Sequence, residues 1–473
     1  MLGVAETPCE SQVRRLDSRV LLGSRGLACA PVESHATGNI PLPGQGSMLF
    51  SLPLMARNLR RTLFAAVVML ASAASHSVQA ELGYHVAASA SVGASDNPRA
   101  LPDQSTIKAD GFVTAEGHLE LNHIGRVTEE HLTYGIMGTT WFRGTEGSGQ
   151  THTLRLSSQF QVGPEGRLTL FAGGMLAKMS MIDAAAPNDS QTSGPRPAGD
   201  QTFVVIDAGE TLASPIGGSW RVDQDLDGSL YRPLGSQSGT IENKSATLHA
   251  DLNHTWARDW AGLRTRLGAV TSSGSSAQAG QATPVNFSGE FAELTLSWQH
   301  DWTPDFRHVV AAGAVVLWTD SAHLSPAGLA SLLWHRTGYE IELRATSSAD
   351  ANVLLGAALK RDLVGLRGTL PIDRLELLRV NVAADLEHDS TEGAPAGTGG
   401  SANVLYVHGG IQWRPGDMFV FSLDYSFRDQ RASANAANSS ANGTAGASPF
   451  FTFRRQAVML TVGMQYPPTQ ALR

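Results

Sequence analysis

Apolar and polar residues alternate with a period of two along most of the chain from Gly83 onward. In the segment 153–162 every second residue is apolar, with Ser158 as the exception, and the residues between them are polar. The same alternation recurs in 246–252, 339–346 and 419–428. Successive side chains of a strand point to opposite faces of a sheet, so this pattern predicts β-strands with one apolar and one polar face.

The length of the strands and the spacing of their connections indicate a membrane barrel. A soluble β-sandwich explains the period, but its strands average about 5–6 residues, whereas spanning strands need about 9–11. Long polar connections rich in Gly, Ser and Ala, among them 273–284, 321–325 and 348–351, also alternate with short turns such as 258–261, as in bacterial barrels. We therefore predict an all-β transmembrane antiparallel up-and-down β-barrel of about 18 strands. The segment 352–388 is ambiguous, because 363–373 fits either a turn or a strand, and this leaves 16 strands as the alternative. Either even count places both termini in the periplasm.

Tryptophans support the barrel because they lie close to the proposed short turns. Aromatic side chains form girdles where barrels meet the two membrane surfaces. The predicted girdle comprises Trp220, Trp256, Trp260, Trp298, Trp302, Trp334 and Trp413.

The N-terminal region predicts export. Arginines at 57, 60 and 61 precede an apolar run at 63–74, and small residues follow at 78 and 80. This is the pattern of a Sec-type signal peptide, which we place at 48–80 with cleavage after Ala80. Residues 1–47 have no periodic pattern and are interpreted as a mis-annotated upstream extension. The barrel then occupies 81–473, and the predicted location is the bacterial outer membrane.

Composition restricts the possible functions. Charged residues make up 16% of the chain, against roughly a quarter in soluble domains. Residues 1–80 hold 7 of the 35 Lys and Arg and 4 of the 43 Asp and Glu, which leaves 81–473 with a net charge of −11. Both cysteines, Cys9 and Cys29, also precede the barrel. An acidic chain without a basic stripe argues against nucleic-acid binding.

Three motifs that suggest ligand chemistry are incomplete. The segment 144–151 is similar to a P-loop, but Gln150 replaces its lysine. The segment 223–228 is similar to the start of a calcium loop, but Leu234 stands where a bidentate glutamate is needed. The histidines at 118, 123 and 131 match no metal-ligand spacing. We predict no catalytic residue, no metal, no cofactor and no enzyme activity.

The polar rows predict the lining of the lumen. Both signs of charge are present, which favours a wet interior over a sharply ion-selective one. A barrel of 16–18 strands is wide enough for an aqueous channel; a lumen filled by salt bridges is the alternative. The lumen-lining candidates are Glu116, Glu120, Arg155, Asp223, Asp225, Asp227, Asp251, Arg264, Arg266, Glu293, Glu340, Glu342, Arg344, Arg379, Asp385, Glu387, Asp424 and Arg428.

The segment Ser89-Ala90-Ser91-Val92-Gly93-Ala94-Ser95-Asp96-Asn97 resembles the opening strand of outer-membrane barrels associated with exopolysaccharide export loci. The resemblance implies a conduit that secretes an exopolysaccharide together with a periplasmic polysaccharide-export protein. Phe171 and Phe291 are the candidates for stacking on sugar rings. A general diffusion porin is the alternative, and a barrel enzyme or a surface scaffold is a remoter one. Outer-membrane lipid and the barrel-assembly machinery are the other expected partners.

Overall fold

The computed structural model describes residues 81–98, 109–125, 127–143, 149–180, 200–234, 242–278, 281–319, 321–336, 338–372, 377–391, 400–433 and 452–466. The predicted extension 1–47 and signal peptide 48–80 lie outside these residues. The strands are β1 (Glu81–Ser95), β2 (Asp110–Ile124), β3 (Thr128–Trp141), β4 (Gly149–Val162), β5 (Gly166–Ser180), β6 (Asp200–Gly217), β7 (Trp220–Pro233), β8 (Glu242–Trp256), β9 (Asp259–Gln278), β10 (Gln281–Thr303), β11 (Phe306–Trp318), β12 (Ala322–Arg336), β13 (Tyr339–Asn352), β14 (Ala357–Pro371), β15 (Leu378–Ser390), β16 (Ser401–Trp413), β17 (Phe419–Ala432) and β18 (Phe453–Tyr466).

The eighteen strands form one closed antiparallel barrel. Each strand pairs with the next in the chain, and β1 pairs with β18 as well as with β2. At the closure Ser91 lies opposite Thr461, and their hydroxyl oxygens are 2.9 Å apart. Each unpaired backbone group would cost several kcal/mol in hydrocarbon, and a closed ring of strands pairs them. The predicted barrel is confirmed with 18 strands, and the alternative of 16 is wrong.

The alternation in the sequence becomes two faces of the barrel wall. In β10, Leu294, Leu296 and Trp298 are exposed on the outside, whereas Thr295 and Ser297 between them are buried on the inside. Apolar side chains that remain exposed in rows around a closed barrel are the surface that meets lipid.

The ambiguous segment 352–388 contains a hairpin turn, all of β14 and most of β15. Of residues 363–373, which the sequence left open between turn and strand, those from 363 to 371 belong to β14. The sequence also placed external connections at 273–284, 321–325 and 348–351, and these residues lie largely within β9, β10, β12 and β13. Strands at these points extend beyond the lengths that hydrophobic alternation indicates, because backbone pairing continues where the side-chain pattern stops.

Short turns close one end of the barrel. Gly163 and Gly338 adopt positive φ values of 69° and 77° in the turns after β4 and β12, a conformation that glycine adopts without steric cost. β1 begins and β18 ends at this same end. Bacterial barrels have tight periplasmic turns, and on that ground we assign this end of the barrel to the periplasm.

Among the described residues, the structure contains no helix that is long and apolar enough to cross a membrane.

Candidate functional site

The inward-facing rows of the wall contain all the residues that the sequence proposed for the lumen. The strand registers place them opposite one another from β2 round to β17, so they line one continuous interior. This set comprises Glu116, Glu120, Arg155, Asp223, Asp225, Asp227, Asp251, Arg264, Arg266, Glu293, Glu340, Glu342, Arg344, Arg379, Asp385, Glu387, Asp424 and Arg428. Their part in transport stays a prediction.

The wall from β8 to β10 carries paired charges. Arg264 Nη2 lies 3.1 Å from Asp251 Oδ2, and His249 Nε2 lies 3.0 Å from the other oxygen of the same carboxylate. Arg266 Nη1 lies 3.6 Å from Glu293 Oε2. These charges are therefore paired with neighbours on the same or the next strand.

Some inward carboxylates remain open to water. The side chain of Asp225 is 51% exposed and faces His249 at 3.6 Å, and that of Glu340 is 59% exposed and faces His335 at 3.5 Å. Glu116 is also exposed and accepts a hydrogen bond from Ser89. These carboxylates give the interior an acidic surface that a solute can reach.

A buried charge cluster joins residues of β13, β14 and β15. Arg361 Nε is 2.6 Å from Glu387 Oε1 and 3.1 Å from Asp389 Oδ1, and Arg361 Nη1 is 3.2 Å from Asp350 Oδ2. Sequence reasoning found Glu387 but missed Arg361, Asp350 and Asp389. Continuing the inward row of β15 from Asp385 and Glu387 to Asp389 would have found the last of these.

The hairpin between β13 and β14 leaves the wall and enters the lumen. β12 pairs with β13 only as far as Ser347, and β14 pairs with β15 only from Lys360 onward. Between these points β13 and β14 pair only with each other and contact strands from β8 to β11 instead. We refer to residues 348–360 as the in-folded hairpin.

The tip of the in-folded hairpin packs against the far wall of the barrel. Val353 and Leu354 are buried in one cluster with Phe203, Val205 and Tyr231, which lie on β6 and β7. Asn243 Nδ2 donates a hydrogen bond to the carbonyl of Val353 over 2.9 Å. The hairpin therefore spans the interior from the wall at β13 and β14 to the wall at β6 and β7.

The two sides of the in-folded hairpin are also covered. Ala349 is buried against Phe291, Val315 and Leu317 of β10 and β11. On the other side, Leu359 packs with Ala402 of β16. The hairpin is thus packed against the wall on both sides as well as at its tip.

Gly356 permits the close approach of the hairpin turn to the wall. It has a positive φ of 65°, and a Cβ there would collide with Ser272 Oγ and the Asn243 side chain. Ser272 Oγ donates to the carbonyl of Gly356 over 2.9 Å. Both hydrogen bonds to the turn come from residues far away in the sequence, so the hairpin is held in a defined position.

The two aromatic candidates for sugar stacking are covered. The guanidinium carbon of Arg155 lies 4.7 Å from the centre of the Phe171 ring. Arg266 lies 5.8 Å from the centre of the Phe291 ring, and Phe291 is buried beneath the in-folded hairpin. Phe291 is therefore not accessible for stacking on a sugar, and in Phe171 the arginine covers one face of the ring.

Six of the predicted girdle tryptophans are exposed on the outer face beside short turns: Trp220, Trp256, Trp298, Trp302, Trp334 and Trp413. Trp260 differs, since it lies in the inward row of β9 together with Gly262 and Arg264. The sequence placed the turn at 258–261, whereas it lies at 257–258. A shift of the turn by one residue exchanges the two faces of a strand.

No group of three or more His, Cys, Asp or Glu capable of holding a metal ion occurs among the described residues.

A closed barrel with apolar outer rows and a wet, charged interior defines an outer-membrane β-barrel protein. The predicted location in the bacterial outer membrane is therefore confirmed. The predicted export signal lies outside the described residues.

Comparison with known proteins gives structural neighbours only. No family model and no curated protein matches the chain, so the resemblance of 89–97 to export-locus barrels stays untested. The ferric-catecholate import receptor Fiu of E. coli K12 matches with 11% identity, a TM-score of 0.43 and coverage of 81% of this chain and 82% of the receptor. The alcaligin outer-membrane receptor FauA of Bordetella pertussis matches with 10% identity, a TM-score of 0.42 and coverage of 81% and 76%. A variant of the ferric enterobactin receptor PfeA of Pseudomonas aeruginosa matches with 9% identity, a TM-score of 0.42 and coverage of 82% and 81%.

The prediction of a polysaccharide-export conduit, with its periplasmic export partner, is wrong, and so is its alternative of a general diffusion porin. These neighbours are receptors for ferric catecholate, alcaligin and ferric enterobactin. Both predictions took the lumen to be an aqueous channel, and the in-folded hairpin lies across it. At such low identity the likeness concerns the fold, and no substrate is carried over from the neighbours.

Proposed function

We propose that this protein is a gated transport barrel that admits a small polar solute through the outer membrane and favours cations over anions. The observation that carries the proposal is the in-folded hairpin, whose tip packs against β6 and β7 on the far side of the lumen. Below it the interior is polar and acidic. A polar interior crossed by a hairpin that is held mainly by apolar packing fits a passage that opens when the hairpin is released.

The contacts of the hairpin allow its tip to move while its base stays in place. Its tip is held by apolar packing and by hydrogen bonds from Asn243 and Ser272, whereas its base is held by the buried ion pairs of Arg361. Release of the tip therefore breaks few polar contacts and leaves the base in place. Movement about a fixed base is the usual form of gating by loops.

Replacing residues 349–359 with a short glycine-rich turn should raise the single-channel conductance at least fivefold, because the occupied cross-section becomes free. The measurement is planar-bilayer recording of the purified barrel at equal salt. Heat-modifiable migration on a gel verifies that the variant is folded. Equal conductance of the variant and the natural barrel would refute the gate.

A double variant, Asn243→Cys with Val353→Cys, provides the matched control. The side-chain amide of Asn243 contacts the backbone of Val353, and residues 81–473 contain no other cysteine. Under oxidising conditions the tether should abolish openings, and a reductant should restore them in the same molecules. Openings that persist in the fully crosslinked barrel would show that solutes bypass the hairpin.

Ion selectivity tests the proposed preference for cations over anions. In the barrel without the hairpin, Asp225→Asn together with Glu340→Gln should lower the K⁺/Cl⁻ permeability ratio about twofold or more, because both carboxylates are exposed to the lumen. The reversal potential in a salt gradient measures this ratio. Asp362→Asn on the outer row of β14 is the control and should leave it unchanged. An anion-preferring barrel would contradict the proposal.

A further inference from the structure

Glu210 of β6 and Gln224 of β7 lie on the outer face of the barrel among apolar neighbours. The register places Glu210 between Leu170 and Leu226, which are both exposed. Gln224 Nε2 donates a hydrogen bond to Glu210 Oε1 over 3.3 Å. Two polar side chains therefore stand together in rows that face lipid elsewhere in the barrel.

The depth of this pair places it within the membrane. Trp220 lies opposite Gly217 at the periplasmic turn and marks the girdle. Gln224 lies four residues beyond Trp220, and Glu210 lies seven residues from Gly217. With a rise of about 3.3 Å per residue and a tilt of about 40°, these positions are roughly 10 Å and 18 Å above the girdle. Both lie inside an apolar band that is about 25 Å tall.

A carboxyl group at this depth is costly in lipid, and such groups are rare unless protein or water surrounds them. Gln224 is the hydrogen-bond partner that the barrel itself supplies to Glu210. Both side chains lie in outer rows, which face away from the lumen. This pair therefore favours a protein surface over lipid as its neighbour.

The adjacent residues leave room for a close protein contact. Gly228 lies between Ala208 and Ala246 in one row across three strands. A Cβ added to Gly228 would meet only the carbonyl of Ser245, at an ordinary 3.6 Å. Packing within the barrel therefore does not require glycine there. Small outer residues allow two membrane surfaces to approach closely.

We propose that this face, the β6–β8 patch (Ala208, Glu210, Gln224, Gly228 and Ala246), is the contact surface between two copies of this chain in the membrane. The patch contains both a donor amide and an acceptor carboxyl. A two-fold axis through it lets Gln224 of each copy donate to Glu210 of the other, and self-complementarity of this kind is what a symmetric dimer requires. This assembly is independent of the gate.

The oligomeric mass of the purified full-length barrel in lipid nanodiscs tests the proposal. We expect a dimer for the natural chain. The double variant Glu210→Leu with Gln224→Leu and the single variant Gly228→Leu should each weaken dimerisation at least tenfold, the first by removing the polar contact and the second by separating the surfaces. The double variant replaces polar groups by lipid-compatible ones, so its barrel should fold, which gel migration verifies.

Gly409→Leu is the matched control for Gly228→Leu. Gly409 lies on the outer row of β16, with nothing within 4 Å of an added Cβ, and this variant should remain dimeric. A natural chain that is monomeric at every concentration would overturn the proposal. Dimers that survive both patch variants, or a different protein held in place of the second copy, would overturn it as well.

Discussion

Replacing Arg361 with methionine should lower the free energy of unfolding by about 3–5 kcal/mol. Arg361 is the common partner of Glu387 and Asp389, which are 1% and 0% exposed. Without the guanidinium, two carboxylates remain buried with no compensating charge. Denaturant unfolding of the barrel in lipid vesicles, followed by tryptophan fluorescence, measures the loss.

Two control variants separate this effect from the mere removal of an arginine. The side chain of Arg431 is 74% exposed and pairs with Asp429, so Arg431→Met should cause no measurable change, as is common for surface ion pairs. Adding Glu387→Gln and Asp389→Asn to Arg361→Met should recover most of the lost stability. Equal losses from Arg361→Met and Arg431→Met would mean that the buried cluster is solvated.

Leu294→Arg should destabilise the barrel by about 2–4 kcal/mol, the cost of a cation on the lipid face near the bilayer midplane. Leu294 is 53% exposed on the outer face of β10, four residues from the girdle residue Trp298. That spacing places it roughly 10 Å into the apolar band. Folding titrations in vesicles of defined thickness measure the change.

Leu82→Arg is the control for depth. Leu82 is 68% exposed but is the second residue of β1, at the periplasmic rim. The same substitution should cost only about 0–1 kcal/mol there, since the arginine reaches water at the interface. Equal losses of stability in the two variants would show that Leu294 does not lie deeper in the membrane than Leu82.

The fold and the two faces of the wall could be predicted from the sequence because both follow from a period of two. Arg155 and Asp223, for example, were assigned inward from their neighbours alone, and the registers place them there. Trp260 shows where this reasoning is fragile. The alternation does not show which residue begins a strand after a turn. An error of one residue assigns every side chain of that strand to the wrong face.

The in-folded hairpin could not be predicted in the same way. Residues 348–360 are mostly small or apolar, and nothing in their pattern distinguishes a wall segment from one that packs inside the barrel. Their partners are distant in the chain: Asn243 and Val353, which share a hydrogen bond, are separated by 110 positions. Such contacts form only in the closed barrel. The sequence therefore indicated which residues line the lumen, but not that a hairpin crosses it.

The pairing of β1 with β18 has a consequence for how the chain folds. The two hydroxyls that meet at this closure belong to residues 370 positions apart. Contacts of such long sequence separation form slowly, because the loop entropy is lost before the contact is gained. Until β18 arrives, the growing sheet has two free edges that can pair with any other extended chain. Biogenesis of this protein therefore depends on keeping an incomplete sheet from aggregating until its last strand is in place.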